Sequence, residues 1–127
     1  MVYLIVFLGA GIGGALRHGV NLAAVRWFGY GFPFGTLLVN IGGSFLMGLL
    51  AGYFAWQTGV NQHLRLFLTT GILGGFTTFS AFSLDTALLI ERNALAMATG
   101  YVIGSVGLAL AGLFLGLALF RTPSQLP

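Results

Sequence analysis

From Phe34 to Trp56, and again from Ala96 to Phe120, no residue carries a charge. A helix needs about 20 predominantly apolar residues to cross a bilayer, so either run is long enough to do so. Such a run leaves the chain few options, because in lipid every backbone donor and acceptor must be satisfied within the segment, as an α-helix does. Two other runs are as long but less uniform. Val2–Phe28 turns polar in its second half with Arg17, His18, Asn21 and Arg26, and Leu64–Ile90 contains the stretch GILGGFTTFSAFSLD at Gly71–Asp85. The expectation is an all-α integral membrane protein, a single transmembrane domain over residues 1–127 with four spans. The connections, Gly29–Pro33, Gln57–His63 and Glu91–Leu95, are short, which makes consecutive helices antiparallel neighbours.

Composition supports this class and excludes others. Only 6% of residues are charged and 57% are hydrophobic, where a soluble domain carries about 25% charged residues. The net charge of +3 comes from five arginines set against Asp85 and Glu91, too few and too scattered for a nucleic-acid face. There is no cysteine, hence no disulfide framework and no thiolate metal site. His18 and His63 lie far apart and make no metal site together. The chain has no GxSxG, no HExxH, no lysine for a phosphate loop and no paired carboxylates, so an enzyme lacks its parts. The opening MVYLIVFLGAG has no positive leader region and reads as the first span. The tail TPSQLP after Arg121 is expected to fray.

Twenty-one glycines run through the spans. Gly9/Gly13, Gly48/Gly52, Gly71/Gly75, Gly100/Gly104 and Gly112/Gly116 are each four apart, a spacing that lets membrane helices approach closely. Gly74-Gly75 differs, because it adjoins a polar run. A helix break is expected there, and backbone freed at membrane depth must be buried in protein or line a cavity. Beyond it, helical spacing puts Phe76, Phe79 and Phe82 in one stripe and Thr77, Ser80 and Ser83 in a second.

With four spans, Arg65 and Arg121 fall on one side and Arg26 and Arg92 on the other, with Arg17 nearer the latter. The positive-inside rule then gives almost no orientation preference. Two opposite copies could pair about an axis in the membrane plane.

Intramembrane ionisable residues are functional candidates. Arg17 either faces an aqueous vestibule and attracts anions, or pairs with Asp85 or a carbonyl. For Asp85, a structural ion pair is favoured over a proton relay. Asn40 needs hydrogen-bond partners in hydrocarbon; it either bridges helices or offers its amide to an anion. Tyr101 and Ser105, four apart, share a face. Aromatic rings have electropositive edges, and edges beside hydroxyl donors suit a small anion that has shed water. With an arginine, hydroxyls and an amide and almost no carboxylate, the spans favour an anion pathway over a cation or proton pathway. Residue chemistry leaves fluoride, chloride and formate open.

The segments GGALRH at Gly13–His18, GTLLVNIGGSFLMG at Gly35–Gly48 and GGFTTFSAFS at Gly74–Ser83 together resemble the Fluc family of bacterial fluoride channels, over all four spans. The resemblance implies an antiparallel, dual-topology homodimer in the bacterial cytoplasmic (inner) membrane. Its two pores would export fluoride passively and so confer fluoride resistance. It implies that Phe79 and Phe82 are pore phenylalanines, drawn from both subunits, and that Phe76 is a packing ring. Asn40 is placed at the inner end of a vestibule that Arg17 serves, and Thr77, Thr78, Ser80, Tyr101 and Ser105 are candidates for a hydroxyl track. It also implies a structural sodium ion on the dimer axis, held by the backbone carbonyls of Gly74 and Thr77 from each subunit. A proton-coupled multidrug exporter of similar size would need an intramembrane carboxylate, and the first span has none. A purely structural subunit would leave the hydroxyl row without a purpose.

Overall fold

The structure is a computed structural model that describes residues 1–56 and 59–120. Gln57 and Thr58 of the second connection, Arg121 with its share of the charge count, and the tail 122–127 lie outside the described residues. Among the described residues all regular structure is helical, and four segments are long and apolar enough to cross a membrane. Helix α1 is Val2–Phe28 and α2 is Phe34–Trp56. The third span, Gln62–Glu91, comes in two pieces. Its first piece, α3, is α-helical at Gln62–Leu66, widens to a π-helix over Phe67–Leu73, and closes with one turn at Gly74–Phe76. Its second piece, α4, is Phe79–Glu91, and the last span, α5, is Leu95–Leu119. The apolar runs predict these limits to within two residues.

The ends follow local chemistry. Gly29 leaves α1 at φ 77° while its N–H still reaches the Val25 carbonyl at 2.8 Å, a left-handed exit that glycine adopts without a Cβ penalty. Asn61 caps α3 by accepting from the His63 N–H at 2.8 Å, which satisfies one of the donors a helix start leaves open. Asn93 turns the chain between α4 and α5 at φ 60°, a conformation that short polar side chains tolerate.

The bundle is held by two glycine seams. Along α1 and α3, a Cβ on Gly9 would stand 2.8 Å from the Gly71 Cα, and one on Gly13 would meet the Ile72 carbonyl and the Phe76 nitrogen. Gly75 lies equally close against the Ala10 backbone. Along α2 and α5, Gly48 faces the Leu113 carbonyl and Gly116 faces the Phe45 carbonyl and the Leu49 nitrogen. Lipid tails are as apolar as leucine, so such contact surfaces, more than hydrophobic exclusion, hold membrane helices together. Gly100/Gly104 departs from this pattern, since a Cβ on either meets nothing within 4 Å. That pair opens onto the outside of the chain.

The break lies three residues further along than the glycine pair suggests. Gly74 is right-handed helical (φ −62°, ψ −38°), and the extended residues are Thr77 (φ −83°, ψ 157°) and Thr78 (φ −152°, ψ 124°). Gly75 serves close packing on α1, while hydrogen bonds to the Thr78 backbone and side chain set where the helix parts.

Candidate ion pathway

At the break, Asn40 on α2 takes the place of a missing peptide unit. Its Oδ1 accepts from the Thr78 N–H at 2.8 Å and its Nδ2 donates to the Thr78 carbonyl at 3.0 Å. One amide thus satisfies both exposed polar groups of an extended residue at membrane depth, where each would cost about 1–3 kcal/mol unpaired. The Thr78 hydroxyl then caps α4, accepting from the Ala81 N–H at 3.1 Å and lying 3.2 Å from the Ser80 hydroxyl.

These side chains redirect two specific donors. In a continuous helix the Thr78 N–H would close on the Gly74 carbonyl and the Ala81 N–H on the Thr77 carbonyl. Here both go to side-chain oxygens, so the Gly74 and Thr77 carbonyls lose their helical donors. The neighbouring Leu73 carbonyl is satisfied twice, by the Thr77 N–H and the Thr77 hydroxyl, each at 3.0 Å. Two neutral oxygens without helical donors, with Gly74 at the surface of the chain, suit a hard monovalent cation that backbone carbonyls can coordinate.

Beyond the break the aromatic side chains form a relay. The Phe79 and Phe82 rings lie 5.6 Å apart, Phe82 lies 5.2 Å from Tyr101, and Tyr101 meets Phe32 edge-on at 5.5 Å and 88°. Tyr101 is fully buried, packed with Leu89 and Ala98, and donates its hydroxyl to Asp85 Oδ2 at 3.1 Å. Phe79, by contrast, is 78% exposed on the single chain. Phe76 falls outside the stripe expected for it, because the extended residues interrupt the helical spacing. Its ring packs over Gly43, where a Cβ would meet it at 3.2 Å.

Two hollows flank Tyr101. A cavity of about 260 Å³ is lined by Asn40, Thr78, Phe79, Phe82 and Ser105, with Ser44, Thr77, Val106 and Ala109. A cleft of about 510 Å³ at the Arg92 end contains Asn21, Thr36, Asp85 and Arg92. Tyr101 turns its ring toward Phe82 of the first and its hydroxyl toward Asp85 of the second.

The hydroxyls divide by what they bond. Those of Thr69, Thr77, Ser83, Thr86 and Thr99 donate to the carbonyl four residues back on their own helix. The expected Thr77, Ser80, Ser83 stripe therefore dissolves: Thr77 and Ser83 are tied to their helix and Ser80 to Thr78. Ser105 is the opposite case, a 95% buried residue whose Oγ has no partner. A buried O–H with nothing to donate to is a ready donor for an anion.

Five of the seven expected pore residues, Asn40, Thr78, Phe79, Phe82 and Ser105, line one cavity; Tyr101 and Ser80 adjoin it through Phe82 and Thr78. Arg17 stands half-buried on α1 and lines neither hollow. The ion pair expected for Asp85 is not formed among the described residues. Its carboxylate takes the Tyr101 hydroxyl instead, since the aromatic packing brings that donor to it first. Sequence reasoning passed over Thr36 and Ser44, which lie four residues either side of Asn40 and so share its face of α2. That spacing was the available signal.

The chain as a whole has counterparts among known proteins. The family model for CrcB-like protein, Camphor Resistance (CrcB), matches residues 4–117. The chain belongs to the CrcB-like family. Its relatives include a protein of Rhodopseudomonas palustris strain BisB5, 60% identical over 95% of this chain and 98% of its own length. Another from Granulibacter bethesdensis is 60% identical over 96% of each, and one from Methylobacterium nodulans is 62% identical over 93% of this chain and 94% of its own. All three bear the name fluoride-specific ion channel FluC. Each match spans nearly the full length of the relative, and the relatives are named as channels and not as enzymes.

Proposed function

We propose that this protein is a fluoride-selective channel that lets fluoride leave the cell passively across the bacterial cytoplasmic membrane. The observation that carries the reading is the cavity at the break. It joins the Asn40 amide, the unpartnered Ser105 hydroxyl and the Phe79 and Phe82 rings, and no carboxylate lines it. A fluoride ion entering would exchange water for O–H and N–H donors and for the electropositive edges of the rings. Tyr101 stands between this cavity and the cleft, so an anion passing it competes with Asp85 for the phenolic proton.

The reading extends to a dual-topology, antiparallel homodimer. The 78% exposure of Phe79 supports it, because a pore aromatic open to the outside of one chain needs a second chain to enclose it. Two pores then follow, each with rings from both subunits. Arg17, half-buried and without a salt bridge among the described residues, would draw anions toward an aqueous vestibule. A sodium ion on the dimer axis would be held by the Gly74 and Thr77 carbonyls of each subunit. When bound it would supply the positive charge that fixes the four oxygens and joins the two broken helices.

Purified protein in liposomes, followed with a fluoride electrode, tests the reading. Fluoride efflux is expected with and without a proton gradient and far faster than chloride efflux; equal chloride flux would falsify selectivity. Phe79→Ile or Phe82→Ile is expected to suppress flux while the dimer persists, and undiminished flux in both would remove the rings from the mechanism.

A further inference from the structure

The cavity has one hydroxyl to which neither the family resemblance nor the break assigns a role. Ser44 lies one turn beyond Asn40 on α2, about 6 Å further along the axis, toward the Arg65 end of the bundle. It is half-buried and lines the cavity. Five other hydroxyl side chains, in the helices or at their ends, return their proton to the carbonyl four residues back. Ser44 has no such bond to Asn40 and no other partner among the described residues. The groups around it offer no substitute. On the facing α5, the position one turn beyond Ser105 is Ala109, which has no donor. The Thr77 hydroxyl, which also lines the cavity, is tied to the Leu73 carbonyl. At this level Ser44 therefore supplies the free O–H.

We infer that Ser44 is a further ion-contacting residue, a donor that receives the anion between the Asn40 amide and the Arg65 end. The inference rests on the fluoride reading above and specifies it. A small anion leaving the amide loses a charge-assisted hydrogen bond, and a hydroxyl one turn away replaces it before rehydration is complete. Threonine would keep this donor, whereas alanine would leave an apolar step in the path.

The test is fluoride efflux from liposomes for Ser44→Ala, Ser44→Thr and the control Ser83→Ala, whose hydroxyl is tied to the Phe79 carbonyl. A lost hydrogen bond to a charged species corresponds to about a tenfold fall in flux. Ser44→Ala is expected to fall by that factor, with Ser44→Thr and Ser83→Ala near the wild-type rate and the thermal midpoints of all three unchanged. The ratio of fluoride to chloride flux should fall with Ser44→Ala, a change that loosened packing alone would not produce in the presence of an unchanged midpoint. Wild-type flux in Ser44→Ala overturns the inference and leaves the fluoride reading standing. Equal loss in Ser44→Thr assigns the effect to side-chain volume and also overturns it. A wild-type protein that passes no fluoride removes both.

Discussion

The α1–α3 seam and the α2–α4 contact both bring a helix against the third span, and they end in opposite states. Between α1 and α3 the residues at the crossing are Gly9, Gly13, Gly71 and Gly75, and the backbones meet directly, with a Gly71 Cβ only 3.0 Å from the Gly9 Cα. Between α2 and α4 the approach begins with Gly43 under Thr77 and ends with the Asn40 amide bonded to the Thr78 backbone. The first seam is shut to any ion. The second is propped apart by side chains whose remaining donors line a cavity. Glycine brings helices together, and it takes a polar side chain of the right reach to turn that closeness into a lined space.

Gly13→Ala attacks the shut seam and carries the largest expected effect. Its Cβ would meet the Ile72 carbonyl, which is backbone and cannot swing away. The loss of stability should reach or exceed the upper end of the about 1–3 kcal/mol typical of overpacking. In detergent the variant should lose its monodisperse elution peak or show a sharply lowered melting temperature. A wild-type melting temperature would mean that the two helices are not pressed together in the assembled protein.

Asn40→Ala attacks the propped contact instead. It strands one N–H and one C=O of Thr78, and with cavity water replacing part of the two bonds the expected cost is about 2 kcal/mol. Fluoride flux should fall as well, because the same residue lines the cavity. Asn40→Asp separates the two roles: it keeps an acceptor for the Thr78 N–H but cannot donate to the Thr78 carbonyl. Flux retained in both variants would reduce Asn40 to a strut.

Gly100→Ala should have the smallest effect, within about 0.5 kcal/mol, as expected of a substitution that meets no neighbour. Its value lies in contrast with Gly13. A clear loss of dimer on Gly100→Ala would show that a second copy uses this open pair as α1 and α3 use theirs.

Much of this arrangement was legible beforehand. The α1 and α2 limits follow from apolar length, and the shared face of Tyr101 and Ser105 follows from their spacing. The position of the break did not follow, because glycine at Gly74-Gly75 signals both a bend and a close approach, and only the neighbouring helix decides between them. The Asn40–Thr78 pairing joins positions 38 residues apart and leaves no local trace. Nor does spacing tell whether a hydroxyl returns to its own helix: Ser83 and Ser105 read alike in the chain and differ only in what lies opposite. For Asp85 the expected cation gave way to a phenol that packing had already brought within reach.

The Asn40 clamp also bears on how the protein is made. Chains emerge N-terminus first, so α2 reaches the bilayer before the third span is complete. When Thr77 and Thr78 arrive with backbone groups that lipid cannot satisfy, the amide that answers them is already in the membrane. A circular permutation that moved α2 behind α4 would reverse that order, leaving the broken span to enter hydrocarbon alone. Such a chain, identical in its final contacts, should insert poorly.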